Sequence, residues 1–438
     1  MRPSPRLLVR LALSLLAGSG LFLGLVAAAG DWPGLPGLIT LPDAAGATPP
    51  VGLRPPSVTV TVPRSLTAAR TAPPAVPSEL TVTVAFGGDL LTHQPVNQSA
   101  AARDGSYDFT PLLTGVDPWI AGADLAICQM EVPLAPPGVA PTGYPIFGAP
   151  SELVGDLAEQ GWDGCTTASN HSLDKGWAGV SHTIETLRGD GLGYAGTALT
   201  EADSLLPQLY QLTGSDQTLT IAHIAATYGT NGLPLPSDQP WAVATPIETS
   251  RLVDQAVAAR AAGADIVIAS IHAGVEYQTQ LSAEQKGIVA RLAASGQIDA
   301  VIGDHPHVSQ PIELVSGGVN NRGMWTIYSL GNFLSNQTDG VVGPNTDTGA
   351  VVYVTITKDP AGAAVTGMTW SGVTVDSTHG HRLYMLQDAA ANGGDLGQIG
   401  SAGVTLRYDR LRAIMGSAPE QLSPPTPSGA SLVVVPRQ

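Results

Sequence analysis

Five short stretches of this sequence carry side chains able to hold a metal ion: Asp89, Glu131, Asn170-His171, His272 and His305-Pro306-His307. Each stands at, or within a few residues of, the end of an apolar run with strand character. In open α/β sheets the carboxyl ends of strands converge on one ligand-binding crevice. Carboxylates, a carboxamide and imidazoles gathered there form a donor set suited to two borderline divalent cations such as Mn, Fe or Zn, whereas oxygen donors alone would suit Mg or Ca. Two such ions would activate water for attack on a phosphoryl or carbonyl group. Taken singly, the residues have plainer readings. Asp89 after Gly87-Gly88 fits a turn or helix cap, Asn170 fits a helix cap, and His272 fits a satisfied core histidine. His93, Asp174 and Glu276 fit solvated positions equally well. His305 and His307 are more specific, because at i and i+2 in an extended segment they project to one side, with Pro306 stiffening the turn. The joint placement is what favours a metal centre.

The elements that must position these residues are readable from apolar periodicity. Leu80–Phe86 and Asp124–Cys128 read as strands, the first ending in Gly87-Gly88-Asp89 and the second near Glu131. Ser151–Gln160 reads as a helix with Leu153, Val154 and Leu157 on one face and Gly161 as its stop. A short run ends at Asn170-His171, and a helix follows from about Trp177 to Arg188. Leu219–Ala226 and Ile266–Ile271 read as buried strands. Ser282 and Gln285 have capping-box spacing and open a helix with Ile288, Val289 and Leu292 inward. Strands Ala300–Gly303 and Met324–Leu330 come next, then an antiparallel pair, Ala350–Thr357 and Ala364–Trp370, around Asp359-Pro360-Ala361-Gly362. Strands first alternate with helices and later follow one another directly. The expected class is therefore α/β, layered, with a second and more antiparallel sheet.

Composition narrows the partners. Among 438 residues, 20 Lys plus Arg face 36 Asp plus Glu for a net charge of −16, which argues against nucleic acid. Arg2, Arg6 and Arg10 precede an uncharged run from Leu11 to Gly30 that ends near Ala27-Ala28-Ala29. Residues 1–30 thus read as a cleaved signal peptide or an uncleaved membrane anchor, placing the body outside the cytoplasmic membrane, tethered or secreted. Residues 31–78 read as a Pro/Ala/Thr-rich linker. The folded body is expected over 79–385, and 386–438 as an extension ending in a disordered Pro/Ser-rich tail. Cys128 and Cys165 each lie in a strand just before a site motif, and read either as a disulfide between neighbouring strands or as two small buried side chains.

A family resemblance runs through the same residues. Gly88-Asp89, Gln129-Met130-Glu131-Val132-Pro133-Leu134, Tyr144-Pro145-Ile146-Phe147, Ser169 to Gly176, Ile271 to Tyr277, Gly303-Asp304-His305-Pro306-His307 and Tyr328 to Phe333 follow the order and spacing of the CapA family. This family is associated with bacterial capsule and poly-γ-glutamate synthesis and is similar to the calcineurin-like metallophosphoesterases. The resemblance covers about Leu80 to Phe333. It implies a four-layer αββα sandwich of two mixed sheets flanked by helices, with a dinuclear metal site on its upper edge. Asp89, Glu131, Asn170, His272, His305 and His307 would be the metal ligands, with Glu131 bridging, and His171 would meet the substrate's developing charge. His93, Asp174, Glu276, Asp304 and Asn332 fall into a supporting or substrate-contacting set, with Asp304 either an acceptor that orients an imidazole or a solvent-facing residue, and Asn332 equally a structural one. The chain departs from the phosphoesterase pattern in placing His93 four residues after Asp89 instead of two, and in a bridging Glu where Asp is usual. The implied role is a metal-dependent hydrolase of a phosphoester or γ-glutamyl amide, acting on an anionic envelope polymer or its precursor. The other implied role is a membrane-tethered, non-catalytic assembly factor working with capsule polymerase subunits.

Overall fold

The computed structural model describes residues 78–437; residues 1–30, expected to direct export or anchoring, and nearly all of the expected linker lie outside it. In chain order the first part runs β1 (Leu80–Leu90), α1 (Gln94–Ala100), α2 (Thr110–Leu113), α3 (Asp117–Ala121), β2 (Leu125–Met130), α4 (Glu152–Gln160), β3 (Gly164–Thr166), α5 (Gly176–Gly189), β4 (Gly193–Ala195) and β5 (Gln208–Thr213). Then come β6 (Thr218–Thr227), α6 (Thr249–Ala261), β7 (Ile266–His272), α7 (Ala283–Ser295), β8 (Ala300–Asp304), β9 (Ile312–Val315), β10 (Met324–Ile327) and β11 (Asn332–Leu334). Last are β12 (Thr348–Asp359), β13 (Gly362–Asp376), β14 (Arg382–Met385), α8 (Ser401–Met415) and β15 (Ser431–Val435). Among the described residues no helix is long and apolar enough to cross a membrane.

Two mixed sheets form. The first has the order β14-β13-β12-β1-β2-β3-β4, with β11 also paired to β1; the second has the order β15-β5-β6-β7-β8-β10-β9. Strands β1 to β4 are parallel to one another, as are β6, β7, β8 and β10. Each sheet also carries three antiparallel pairings, β1/β12, β12/β13 and β13/β14 in the first and β15/β5, β5/β6 and β10/β9 in the second, so both are mixed and neither stands out as the antiparallel one. The antiparallel pair β12/β13 returns to the first sheet and zips along β1, from Leu80↔Lys358 to Gly87↔Val351.

Period-2 alternation in β1 explains the layering. Val82, Val84 and Phe86 point into a core shared with Ile221, Ile268 and Ile302 of the other sheet, while Ala85 faces the helices. Leu153 and Leu157 of α4 and Val180 and Ile184 of α5 cover the outer face of the first sheet. Leu252 of α6 and Ile288 and Leu292 of α7 cover that of the second. This is the four-layer αββα arrangement. Truncating a fully buried leucine such as Leu157 to Ala would cost about 2–5 kcal/mol. Helix α4 stops at Gly161, whose φ of 107° suits glycine. The capping box of Ser282 and Gln285 opens α7.

Registers are pinned by one repeated device. Asp124, Asp163, Asp265 and Asp299 each precede a parallel strand, and each carboxylate accepts the backbone N–H of the preceding strand, from Thr83, Ala126, Thr220 and Val267, at 2.7–2.8 Å. Each of these aspartates also donates its own N–H to the carbonyl of that same residue.

The C-terminal segment is not a loose tail. β15 pairs antiparallel with β5, and Arg437 is buried, with Nε 2.9 Å from Asp203 Oδ1 and its guanidinium over the Tyr194 ring. The apolar Leu432-Val433-Val434-Val435 run supplies an edge strand that outweighs the Pro/Ser content before it. Cys128 and Cys165 lie directly opposite each other on β2 and β3 and are joined as a disulfide, which removes the alternative of two free thiols.

Candidate metal centre

Asp89 lies inside β1, not in a turn beyond it. The strand continues through Gly87-Gly88 because Gly331 packs against it: a Cβ on Gly88 would sit 1.9 Å from the Gly331 carbonyl oxygen, and Asp89 donates its N–H to that oxygen at 3.0 Å. Glu131 follows the last residue of β2, and His272 ends β7. The turn after β3 that carries Asn170 and His171 is built on two serines. Ser169 Oγ donates to the Glu131 carbonyl, and Ser172 Oγ donates to Thr167 O at 2.7 Å, so this turn is tied to Glu131 at the end of β2.

His305 and His307 follow β8, but not as an extended pair. Their φ angles are 100° and 59°, left-handed values uncommon for residues with a Cβ, and backbone strain of this kind concentrates at functional sites. The two rings, 6.1 Å apart, face different partners. His305 joins Glu131 and His272, and His307 joins Asp89 and Glu131, in two groups whose ligand atoms lie within 4.8 Å of one another. Glu131 belongs to both. Its Oε1 is 3.8 Å from His272 Nε2 and 3.7 Å from His307 Nε2. Asn170 Oδ1 lies 2.8 Å from His272 Nε2, which brings the carboxamide to the same place.

These residues fit a divalent cation by their own chemistry. Glu131 is fully buried, yet neither carboxylate oxygen has a hydrogen-bond partner, and Asp89 Oδ1 and His305 Nδ1 are likewise buried and unpartnered. Burial, then the charge of Asp89, pushes the Glu131 carboxyl well above its usual range. Burial, then neighbouring imidazoles, holds His272 well below its usual value and lowers His305 to about 3. Neutral imidazoles and uncompensated carboxylates are what a cation takes as ligands.

The supporting set divides. Asp174 Oδ2 sits 2.7 Å from His171 Nδ1 and accepts the Phe147 N–H at 2.8 Å. His93 falls in neither ligand group; its Nδ1 faces Leu91 O at 3.0 Å, its ring meets Phe147 edge-on, and burial lowers it to about 4. Asp304 is buried, and burial followed by Asp89 raises its carboxyl, but it makes no hydrogen bond to an imidazole, so the orienting role expected of it is not realised. Asn332 donates to Gln337 Oε1 and Thr346 O, a structural brace. Glu276 is exposed on the wall of a cleft of about 640 Å³ that opens over His171 and His307.

Two residues escaped sequence reasoning. Gln129 Nε2 lies 3.1 Å from His272 Nδ1, behind the nitrogen that faces Asn170 and Glu131. Asn231 bridges Asn170 Nδ2 (3.2 Å) and His171 Nε2 (3.5 Å) from the loop after β6. The available sequence signal was the Asn231-Gly232 pair, a turn dipeptide, and Asn231 does take a left-handed φ of 51°.

Buried imidazoles and carboxylates gathered at strand ends of an αββα sandwich define a site of the divalent-metal type. Residues 83–337, more than half of the chain, match the family described as bacterial capsule synthesis protein PGA_cap, and the chain belongs to that family of CapA-like proteins of capsule and polyglutamate synthesis. The capsule biosynthesis protein CapA of Bacillus anthracis is 27% identical over 192 residues, 44% of this chain and 44% of its own. The PGA biosynthesis protein CapA of Bacillus subtilis (strain 168) is 27% identical over 193 residues, 42% of this chain and 46% of its own. The chain thus spans under half the length of each of these relatives. Among solved structures, the calcineurin-like phosphoesterase YfkN of Bacillus subtilis is similar at 14% identity and a TM-score of 0.38, over 77% of this chain and 98% of that one, and nothing further rests on that likeness.

Proposed function

We propose that this chain is a metal-dependent hydrolase of capsule or poly-γ-glutamate synthesis, acting on a phosphoester or γ-glutamyl amide outside the cytoplasmic membrane, to which residues 1–30 direct or tether it. The observation that carries this reading is Glu131, a buried carboxylate with both oxygens unpartnered and common to two ligand groups. Two cations of the Mn, Fe or Zn type suit the mixed donors: His272, His305 and Asn170 would hold one, Asp89 and His307 the other, with Glu131 between them. When bound, such ions polarise a phosphoryl or carbonyl oxygen and lower the pKa of water. The chain's own residues do the rest. Asp174 fixes the His171 ring, whose Nε2 faces the cleft beside Asn231 and can give a proton to the departing group. Metal analysis of the full chain purified without chelator tests the reading. About two equivalents, reduced to a trace by Glu131→Gln, support it. A wild type with well under one equivalent, and no hydrolysis of bis-p-nitrophenyl phosphate or a γ-glutamyl anilide after adding metals, overturns it.

A second reading, a non-catalytic assembly factor, draws on both relatives being named for biosynthesis, not cleavage. Asp89→Ala with His307→Ala separates the two, since assembly would survive loss of metal.

A further inference from the structure

The cleft above the metal-ligand groups is built for a ligand unlike a polyanion. The buried His171 and His307 line it, and so do Tyr144, Ile146, Val341 and Val342. These four are 78%, 44%, 69% and 36% exposed. Among the described residues no Lys or Arg lines the cleft, and Glu276 adds a carboxylate to its wall. Lys175 is committed elsewhere, donating to Thr142 Oγ1 at 2.6 Å and to the Ile146 carbonyl at 3.4 Å. A polymer bearing a carboxylate on every residue would desolvate its charges against apolar walls with no cation to meet them beyond the metals. An apolar chain would instead cover side chains that are otherwise left in water.

We propose that the cleft binds an amphiphilic phosphoester, its single anionic head at the metal-ligand groups and its apolar chain along Tyr144, Ile146, Val341 and Val342. The assignment of the head rests on the hydrolase reading above; that of the chain rests on the cleft walls alone. Hydrolysis of such a monoester adds one water across the P–O bond: the water oxygen joins phosphorus, the bond to the chain oxygen breaks, and that oxygen leaves with a proton as the alcohol. A volume near 640 Å³ falls within the range for a small-molecule site.

The test is a calorimetric titration of the Mn-loaded full chain with n-butyl, n-octyl and n-dodecyl phosphate below their micellar concentrations, and with γ-glutamyl pentapeptide. The expected result is a Kd that falls at least about tenfold from butyl to octyl, with the pentapeptide weaker than octyl phosphate. Ile146→Ser combined with Val341→Ser, both at exposed positions, should flatten this dependence while metal content stays at the wild-type level. A flat series with metal bound, or tighter binding of the pentapeptide, overturns the proposal and leaves the hydrolase reading standing. If the wild type binds no metal and the chain-length dependence is still present, the apolar subsite stands and the hydrolase reading falls. A flat series together with phosphatidylcholine-vesicle binding that the double variant abolishes also overturns it, by making the rim a membrane contact.

Discussion

His171 Nδ1 lies 2.7 Å from Asp174 Oδ2. That carboxylate oxygen also accepts the Phe147 N–H, and the Phe147 ring stands edge-on to the imidazole at 4.8 Å, so both the tautomer and the plane of His171 are set from behind. Nε2 is left to face the cleft. Asp174→Asn should therefore lower kcat on a phosphodiester by on the order of 10²- to 10⁴-fold, with KM and metal content little changed. The basic limb of the pH–rate profile should move with it. Steady-state kinetics across pH, alongside metal analysis, checks this; an unchanged kcat would remove His171 from proton transfer.

Gln129 plays the corresponding part for a ligand. Its Nε2 stands 3.1 Å from His272 Nδ1 while its Oε1 is buried without a partner. With the amide turned over, Oε1 would accept Nδ1–H and leave the His272 Nε2 lone pair free for a metal. Gln129→Ala should weaken metal binding about 10- to 100-fold, whereas Gln129→Glu, which keeps an acceptor, should weaken it far less. Competition against a chelating indicator reads both values.

The strand-end positions of Asp89, Glu131 and His272 were legible because apolar runs, alternating in β1 and continuous in β2 and β7, stop beside them, and a parallel sheet sends those ends to one edge. The ordering of His305 and His307 was not, since a positive φ at a residue with a Cβ leaves no mark in composition. Gln129 and Asn231 were hidden for another reason: their roles exist only across strands and loops distant in sequence. β15 was misjudged because Pro and Ser dominate the residues before it, while the pairing that orders Ser431–Val435 comes from β5, over 200 positions earlier.

The disulfide ties β2 to β3 one turn away from the site. Cys128 and Cys165 are 37 residues apart in sequence, a loop whose closure is worth about 2–4 kcal/mol in chain-entropy terms. Cys128→Ser with Cys165→Ser should lose that much unfolding free energy and become indifferent to reductant, whereas the wild type should fall to the variant's level when reduced. Guanidinium melts with and without reductant measure it. Two titratable thiols in the denatured, unreduced wild type would refute the bridge.

Asp163 gives the fold a pH dependence independent of any metal. Just before β3, its carboxylate accepts the N–H of Ala126 in β2, and burial raises its pKa to about 6. The unfolded chain gives up this proton near pH 4, so between about pH 4 and 6 the folded state binds more protons than the unfolded one. The sign follows: the contribution of this group to stability is fully present below about pH 4 and is lost as pH rises through 6. Asp163→Asn keeps an acceptor for Ala126 N–H and cannot ionise. It should match the wild type at pH 4 and exceed it at pH 7 by about 1–3 kcal/mol, the upper figure being two pKa units at 1.36 kcal/mol each. Urea melts of both proteins at pH 4, 5, 6 and 7 decide the matter. Parallel stability curves would mean that Asp163 ionises in the folded state as easily as in water, and that the Ala126 hydrogen bond already offsets its burial.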